Sequence, residues 1–280
     1  MATITTTNPE MIREAAKINR PSRMPFPLQV TMMTARSLKT AFRVPAAILP
    51  GIVISVFFLF VYTGTLGNAS SFLPGLAGQS YLGFILPLSV ISAALSGSGA
   101  AGQGIVRDIE NGYFDKLMLT PISRAALLLG HMIAGAVLLV IQTAIVVSVA
   151  LLMGFQPATG IGGLLVLIGF ALLLGTAFAG FTVAIALLTG NAAATQGGSF
   201  LFFPLSFITA TFVPINLLSG WIRTAAEYNP ITYVLEATRT TLNQGWDLQI
   251  VLRGMSSIIL MGAILFAFAL YALRLRTKRK

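Results

Sequence analysis

The sequence predicts an all-α integral membrane protein with six transmembrane helices. Hydrophobic residues make up 56% of its 280 residues and charged residues only 9%, and the mean hydropathy is +0.86. Soluble domains carry about 25% charged residues. No Asp, Glu, Lys or Arg occurs from Val44 to Val106 or from Ala125 to Ile222. Because each charge at the centre of a membrane helix costs roughly 2.5 to 3.5 kcal/mol, these uncharged runs indicate a multi-pass membrane protein.

Six hydrophobic runs are long enough to cross a bilayer, which takes about 20 residues each. We predict one transmembrane domain over residues 26 to 280, preceded by a flexible cytosolic tail over residues 1 to 25. The sequence has no cysteine, which excludes disulfides and thiolate chemistry. The predicted spans lie near residues 44 to 66, 79 to 104, 126 to 153, 162 to 189, 198 to 218 and 251 to 273.

Residues 27 to 43 predict an amphipathic helix that lies in the membrane interface. A cytosolic extension of the first span is the alternative. Apolar residues recur there at helical spacing, and basic residues occupy an adjoining face; the apolar set is Leu28, Met32, Ala35, Leu38 and Phe42, and the basic set is Arg36, Lys39 and Arg43.

The basic residues predict the orientation of the chain. Seven precede Val44, three lie between the second and third spans, and five follow Leu273, so fifteen of eighteen fall on one side of a six-span arrangement. Positive residues accumulate on the cytosolic side of a membrane. We therefore expect both termini in the cytosol and contacts of these residues with membrane lipids, and we expect no nucleic acid partner.

Between the two uncharged runs, charged residues occur in one cluster over residues 107 to 124. The pair Asn111-Gly112 predicts a turn, and Thr120-Pro121 predicts the start of the next helix, with Thr120 as its N-cap. The residues between should form a short helix in which charges alternate in sign beside apolar anchors. This mixture suits a groove on another protein, and a solvated loop is the alternative reading. The apolar anchors are Tyr113, Phe114, Leu117 and Met118.

A second segment, before the last span, predicts another amphipathic helix. Asn229-Pro230 is a cap and first-turn pair, and apolar residues follow at helical spacing from Ile231 to Leu242. A structural lid without substrate contact is one reading of this segment.

These two segments resemble the membrane (permease) subunits of type-two ABC exporters, in particular the daunorubicin-resistance, drug-efflux type. Asp115 replaces the commoner Glu of that family, and Ser219-Gly220 stands where a Pro often precedes the Trp. The first motif comprises Glu110, Gly112, Asp115, Leu117, Thr120, Pro121 and Arg124; the second comprises Trp221, Asn229, Pro230, Tyr233, Glu236 and Arg239.

The resemblance implies that the first motif is a coupling helix seated in a cleft of a separate ATP-binding subunit. The sequence contains no phosphate-binding loop, so we expect ATP and Mg²⁺ on two partner subunits, with no cofactor, metal or catalytic residue in this chain. The resemblance assigns the second motif to external re-entrant helices. The expected coupling residues are Arg107, Asp108, Glu110, Gly112, Asp115, Lys116, Leu117, Pro121 and Arg124.

Type-two exporters have twelve spans in total, so six spans imply a dimer of identical chains. The resemblance places the first and fifth spans at the dimer interface and along the substrate path, although Phe is also ordinary in lipid-facing helices. Gln142 and Gln196 are expected to pack against other helices, and His131 has no expected catalytic role. The phenylalanines proposed for the path are Phe57, Phe60, Phe203 and Phe207.

The expected function is ATP-driven export of a hydrophobic or amphiphilic compound, such as a drug, antibiotic or lipid, across a bacterial cytoplasmic membrane. Export of a polysaccharide or lipid-linked glycan and a passive channel are the alternatives. An intramembrane enzyme is disfavoured because the predicted spans carry few of the ionisable groups that such chemistry requires, with His131 and Arg253 near the ends of their spans.

Overall fold

The computed structural model describes residues 24–43, 49–66, 81–200, 204–205, 208–209, 215 and 218–278. Within this part of the chain, ordered structure is helical and includes no strand. The predicted tail lies almost wholly outside the described residues. The helices are α1 Phe26–Phe42, α2 Leu49–Leu66, α3 Tyr81–Glu110, α4 Tyr113–Met118, α5 Arg124–Leu152, α6 Gly160–Thr189, α7 Ala192–Phe200, α8 Gly220–Tyr228, α9 Pro230–Asn243 and α10 Leu248–Lys278.

Four described helices, α3, α5, α6 and α10, are long and apolar enough to cross a membrane. They match the predicted second, third, fourth and sixth spans. The shorter apolar helix α2 occupies the position of the first span. The predicted fifth span falls largely on residues outside the described set, where only its beginning is covered by α7. Six spans therefore remain a prediction.

Helix α3 is the centre of the bundle. It packs against α2, α5, α6 and α7, while α10 packs mainly against α6 and α9. Two apolar clusters hold the bundle together. One joins α3, α5, α6 and α9 around residues such as Phe84, Leu139 and Phe178. The other surrounds Ile105 and Leu127 and connects α1 and α4 to α3, α5, α6 and α10.

Helix α1 packs along α5 at a close approach between Met33 and Gly130. Met33 is buried, and a Cβ on Gly130 would collide with the Cβ of Met33. A glycine is therefore required at this point of α5 for α1 to lie as close as it does. The contact places α1 beside the end of α5 that follows the charged segment.

Candidate functional site

The charged segment forms the short helix α4, as the sequence predicted. Gly112 has a φ of 66°, a left-handed conformation that glycine adopts at little cost and that turns the chain from α3 into α4. Phe114 and Leu117 are buried in the apolar cluster with Ile105 and Leu127. These two side chains fix α4 to the bundle.

The predicted coupling residues differ in how much of each side chain is exposed. Arg107 and Gly112 are half-buried, whereas Asp108 and Leu117 are buried. Leu119, which the sequence analysis did not select, is 89% exposed. An exposed leucine beside charged residues is a surface suited to contact with another protein. The exposed members of the predicted coupling set are Glu110, Asp115, Lys116, Pro121 and Arg124.

The prediction that Thr120 caps the next helix is wrong. Helix α5 begins at Arg124, and the Thr120 hydroxyl donates to the carbonyl of Leu117 at 2.7 Å instead. The Ser123 N–H donates to Oε1 of Gln29 in α1 at 2.7 Å. A side chain from another helix thus satisfies this backbone donor at the start of α5, so local sequence could not reveal it.

A polar cluster joins α1, α3 and α5 next to α4. Nη1 and Nη2 of Arg36 donate to the two carboxylate oxygens of Asp108 at 2.8 and 2.6 Å. The Arg36 guanidinium also lies 3.8 Å from the ring centre of Tyr113, a cation–π contact. Donation of hydrogen bonds to the Asp108 carboxylate raises the pKa of Arg36 above its usual value. This bidentate pair binds α1 to the end of α3.

His131 completes this cluster. Its Nε2 lies 3.1 Å from Oδ2 of Asp108, and its Nδ1 lies 3.0 Å from the carbonyl oxygen of Leu127. Both neighbours are hydrogen-bond acceptors, and a ring nitrogen that carries a proton donates to the one it faces. The carboxylate of Asp108 thus contacts two side chains of the same chain, those of Arg36 and His131.

Sequence reasoning did not group Arg36, Asp108 and His131. Arg36 and Asp108 are separated by 72 positions, and His131 follows Asp108 by 23. The available signals were weak: an arginine on the polar face of α1, and a lone histidine in an otherwise uncharged run. Neither signal identifies a partner, because the contact depends on how α1 packs on α5.

A cavity of about 740 Å³ opens beside this cluster. Residues of α1, α2, α3, α5 and α7 line it, so it lies between α2 and α7 with α3 and α5 as walls. Three glutamines provide neutral polar groups, Gln103, Gln142 and Gln196, and Phe58 and Phe200 provide aromatic surface. The side chains expected to pack between helices thus also border an open space.

The phenylalanines proposed for a substrate path differ in placement. Phe57 and Phe60 are more than half exposed on the outer face of α2. Phe203 and Phe207 lie outside the described residues. Phe58, which was not selected, faces the cavity. A row of phenylalanines around α2 could not indicate which one faces inward, because the sequence there is apolar on all sides.

The segment before the last span forms α8 and α9. Asn229 caps α9, since its Oδ1 accepts from the Ile231 N–H at 3.0 Å, as predicted. Its Nδ2 also donates to the carbonyls of Leu205 and Ile208, each at 2.8 Å. Pro230 occupies the first turn of α9. One buried asparagine therefore fixes both α9 and the chain at residues 205 to 208.

Other residues of this motif divide between the interior and the surface. Arg239 is buried, its Nε donates to the carbonyl of Phe84 at 3.0 Å, and its guanidinium lies 3.6 Å from the centre of the Phe84 ring. The Tyr233 hydroxyl donates to the carbonyl of Glu227 at 2.6 Å. Glu236 and Trp221 are exposed. Arg239 thus attaches α9 to the beginning of α3.

Comparison with known proteins identifies a family and several relatives. The profile described as "ABC-2 type transporter" matches residues 28–243. A probable doxorubicin resistance ABC transporter permease of Mycobacterium tuberculosis is 27% identical over 244 residues, covering 84% of this chain and 85% of the relative. A daunorubicin resistance ABC transporter permease of Streptomyces coeruleorubidus is 26% identical, with 74% of each chain covered. A putative transport permease of Pyropia yezoensis is 24% identical, with 75% of this chain and 72% of the relative covered.

Proposed function

Because the chain belongs to the ABC-2 type transporter family, we propose that it is the membrane subunit of an ATP-driven exporter of hydrophobic or amphiphilic compounds. Permeases of this family act as transport subunits with ATP-binding subunits and have no nucleotide-binding domain of their own. The finer proposal is export across a bacterial cytoplasmic membrane, driven by two copies of a separate ATP-binding subunit. The names of the drug-resistance permeases support that class of cargo.

The observation that carries the proposal is the construction of α4. Phe114 and Leu117 hold the helix against the bundle, while Asp115, Lys116 and Leu119 are exposed on it or next to it. A short helix fixed on one side and exposed on the other can receive force from a partner and pass it to α3 and α5. We propose that ATP-driven closure of the partner subunits moves α4 and thereby rearranges the spans.

Asp108 has a different part in this proposal from the exposed coupling residues. Its carboxylate contacts Arg36 and His131, so we assign it a positioning role that keeps α1 and α3 together beneath α4. Glu110, two residues further along the chain, is exposed. We assign the polar contact with the ATP-binding subunit to Glu110.

The proposal also includes a dimer of two identical chains. The exposed apolar face of α2, including Val53, Phe57 and Phe60, is available either to lipid or to a second copy. We propose that a second copy covers part of it and that the substrate path runs between the two copies. External placement of α8 and α9 belongs to the same arrangement.

The test is co-purification of the full chain with its candidate ATP-binding subunit in lipid nanodiscs. We expect a complex with two copies of each chain, and an ATPase rate that changes with some amphiphilic compounds. The Glu110→Arg variant should insert into the membrane normally. Its complex with the ATP-binding subunit should be about tenfold weaker, a loss of about 1.4 kcal/mol in association free energy, because the charge at the contact is reversed. Glu236→Arg reverses an exposed charge in α9 and is the matched control.

Two results would overturn the proposal. Absence of association with any ATP-binding subunit would exclude an ATP-driven exporter and favour a passive pore. Unchanged association and transport in Glu110→Arg, with the control also unchanged, would exclude the docking role of Glu110.

A further inference from the structure

The shape of the cavity between α2 and α7 suits an elongated ligand. Its lining residues on α3 extend from Ser92 to Asp108. At a rise of 1.5 Å per residue, this corresponds to roughly 24 Å of helix. Lining residues on α5 extend in the same way from His131 to Gln142. A space of this length can hold an extended chain.

The charge in the cavity is confined to one end. Among the described residues that line it, only Arg36, Arg107 and Asp108 are fully charged side chains, and they lie where α3 approaches α4. Further along α3 the wall is formed by small residues and glutamines, with Ile54 and Phe58 opposite on α2. The cavity is therefore amphipathic along its length, with a charged end and a neutral, largely apolar remainder.

The charged end carries an excess of positive charge. Asp108 already accepts two hydrogen bonds from Arg36, so this aspartate is neutralised within the cluster. Arg107 is half-buried, and no acidic side chain in the described ranges lies within ion-pair distance of its guanidinium. A half-buried arginine without a carboxylate partner, at the end of an open space, is suited to an anionic group.

We propose that this cavity binds an amphiphile with an acidic head group, which lies against Arg107 while its apolar chain extends along α3. The proposal rests on the proposed exporter function and specifies the cargo. The shared chemistry is an anionic head on a hydrophobic chain, which either an acidic membrane phospholipid or a free amphiphilic acid provides. The glutamines contribute hydrogen bonds beyond the head group without adding charge.

The test is photo-crosslinking to the full chain in nanodiscs made of phosphatidylcholine, without nucleotide or partner subunit. One sample contains a small fraction of phosphatidylglycerol with a photoactivatable acyl chain, and the other contains phosphatidylcholine with the same acyl chain. Labelled peptides are then mapped by mass spectrometry. We expect the anionic probe, and not the zwitterionic probe, to label peptides from α3 and α5 that line the cavity.

Matched variants separate a site from general surface attraction. Arg107→Gln should weaken labelling by the anionic probe about tenfold, because a charge-assisted hydrogen bond is lost. Arg107→Lys, which keeps the positive charge, should retain most of the labelling by the anionic probe. Lys39→Gln removes one exposed positive charge from α1, outside the cavity, and should leave labelling of the cavity peptides unchanged. If Arg107→Gln and Lys39→Gln lose labelling by the anionic probe equally, the proposal is overturned in favour of non-specific attraction to positive charge.

A competition experiment identifies the source of the ligand. A dansyl-labelled fatty acid is added to compete with the lipid probe, and its uncharged amide is the control. Competition by the acid alone supports the site with free amphiphilic acids as ligands. Absence of competition, with labelling by the anionic lipid retained, supports the site with membrane phospholipid as ligand. Equal labelling by anionic and zwitterionic lipids overturns the proposal while leaving the exporter function, which the association experiment tests, unaffected.

Discussion

At the residue scale, the carboxylate of Asp108 determines how the end of α3 is held. It accepts hydrogen bonds from Arg36 of α1 and lies against Nε2 of His131 of α5. Asp108 is 6% exposed, so these contacts replace those it would make with water. The charged segment is therefore built in two parts, an inward aspartate that connects helices and a set of charged side chains that are exposed at the surface.

Asp108→Asn should destabilise the protein. Breaking a buried ion pair costs roughly 3 to 5 kcal/mol, and partial exposure of Arg36 reduces the expected loss to about 2 kcal/mol. Thermal unfolding of the purified chain in detergent measures this. Glu110→Gln makes the same chemical change at an exposed position of α3 and should have little effect. Equal unfolding temperatures for the two variants would contradict a structural role for Asp108.

Asn229→Ala should be more destabilising than loss of a helix cap alone. Loss of an N-cap costs about 1 kcal/mol, and this change also removes two hydrogen bonds to the carbonyls of Leu205 and Ile208. We expect the free energy of unfolding to fall by roughly 2 to 3 kcal/mol in total. The comparison is Asn191→Ala at the start of α7, where an exposed asparagine accepts from the Ala194 N–H only. A loss at Asn229 no larger than at Asn191 would contradict the anchoring role.

At the element scale, α1 is attached to the bundle by three different kinds of contact. Met33 packs against Gly130, Gln29 accepts a hydrogen bond from the Ser123 N–H, and Arg36 pairs with Asp108. All three lie close to α4 in sequence or in space. A displacement of α4 is therefore expected to move α1 as well, since the two helices share neighbours in α3 and α5.

Gly130→Ala tests the close approach of α1 and α5. The added methyl group would overlap Met33, so we expect α1 to shift and stability to fall by about 1 to 3 kcal/mol. Gly169→Ala in α6 is the control, because a Cβ there meets no atom within 4 Å apart from the neighbouring backbone of its own helix. That change should be neutral or stabilise the helix by up to about 1 kcal/mol. Unfolding measurements that rank the two variants in the opposite order would exclude the close contact.

At the scale of the whole molecule, charge divides the chain into two predicted sides. The ends of α3 and α5 next to α4 and the basic carboxyl end of α10 belong to the side predicted to be cytosolic. Helices α8 and α9 are predicted to lie on the opposite side. The absence of cysteine makes this arrangement directly testable, since a single introduced cysteine is the only thiol in the chain.

We expect Thr120→Cys and Tyr228→Cys to react from opposite sides of the membrane. Both positions are exposed, and Tyr228 is 85% exposed. A membrane-impermeant maleimide should label the cysteine at 228 in intact spheroplasts and the cysteine at 120 only in inverted vesicles. The cysteine-free parent protein is the control for background. Labelling of both positions from the same side would overturn the predicted topology.

The sequence by itself determined the features that depend on composition and on neighbouring residues. Long uncharged runs predict membrane helices because a charge inside the bilayer is costly. Gly112 ends α3 and Asn229-Pro230 begins α9 because these residues act on the backbone within one turn. The family also followed from the sequence, because its motifs are local.

Only the tertiary structure decided which polar groups meet. Thr120 had the local chemistry of a cap, but the Ser123 N–H at the start of the next helix is bonded to Gln29, 94 positions away. Arg239 reaches Phe84 across 155 positions. The cavity likewise exists because α2 and α7 lie on different parts of α3. Hydrogen bonds and packing between distant segments depend on how helices are arranged, and many arrangements are compatible with the same local pattern.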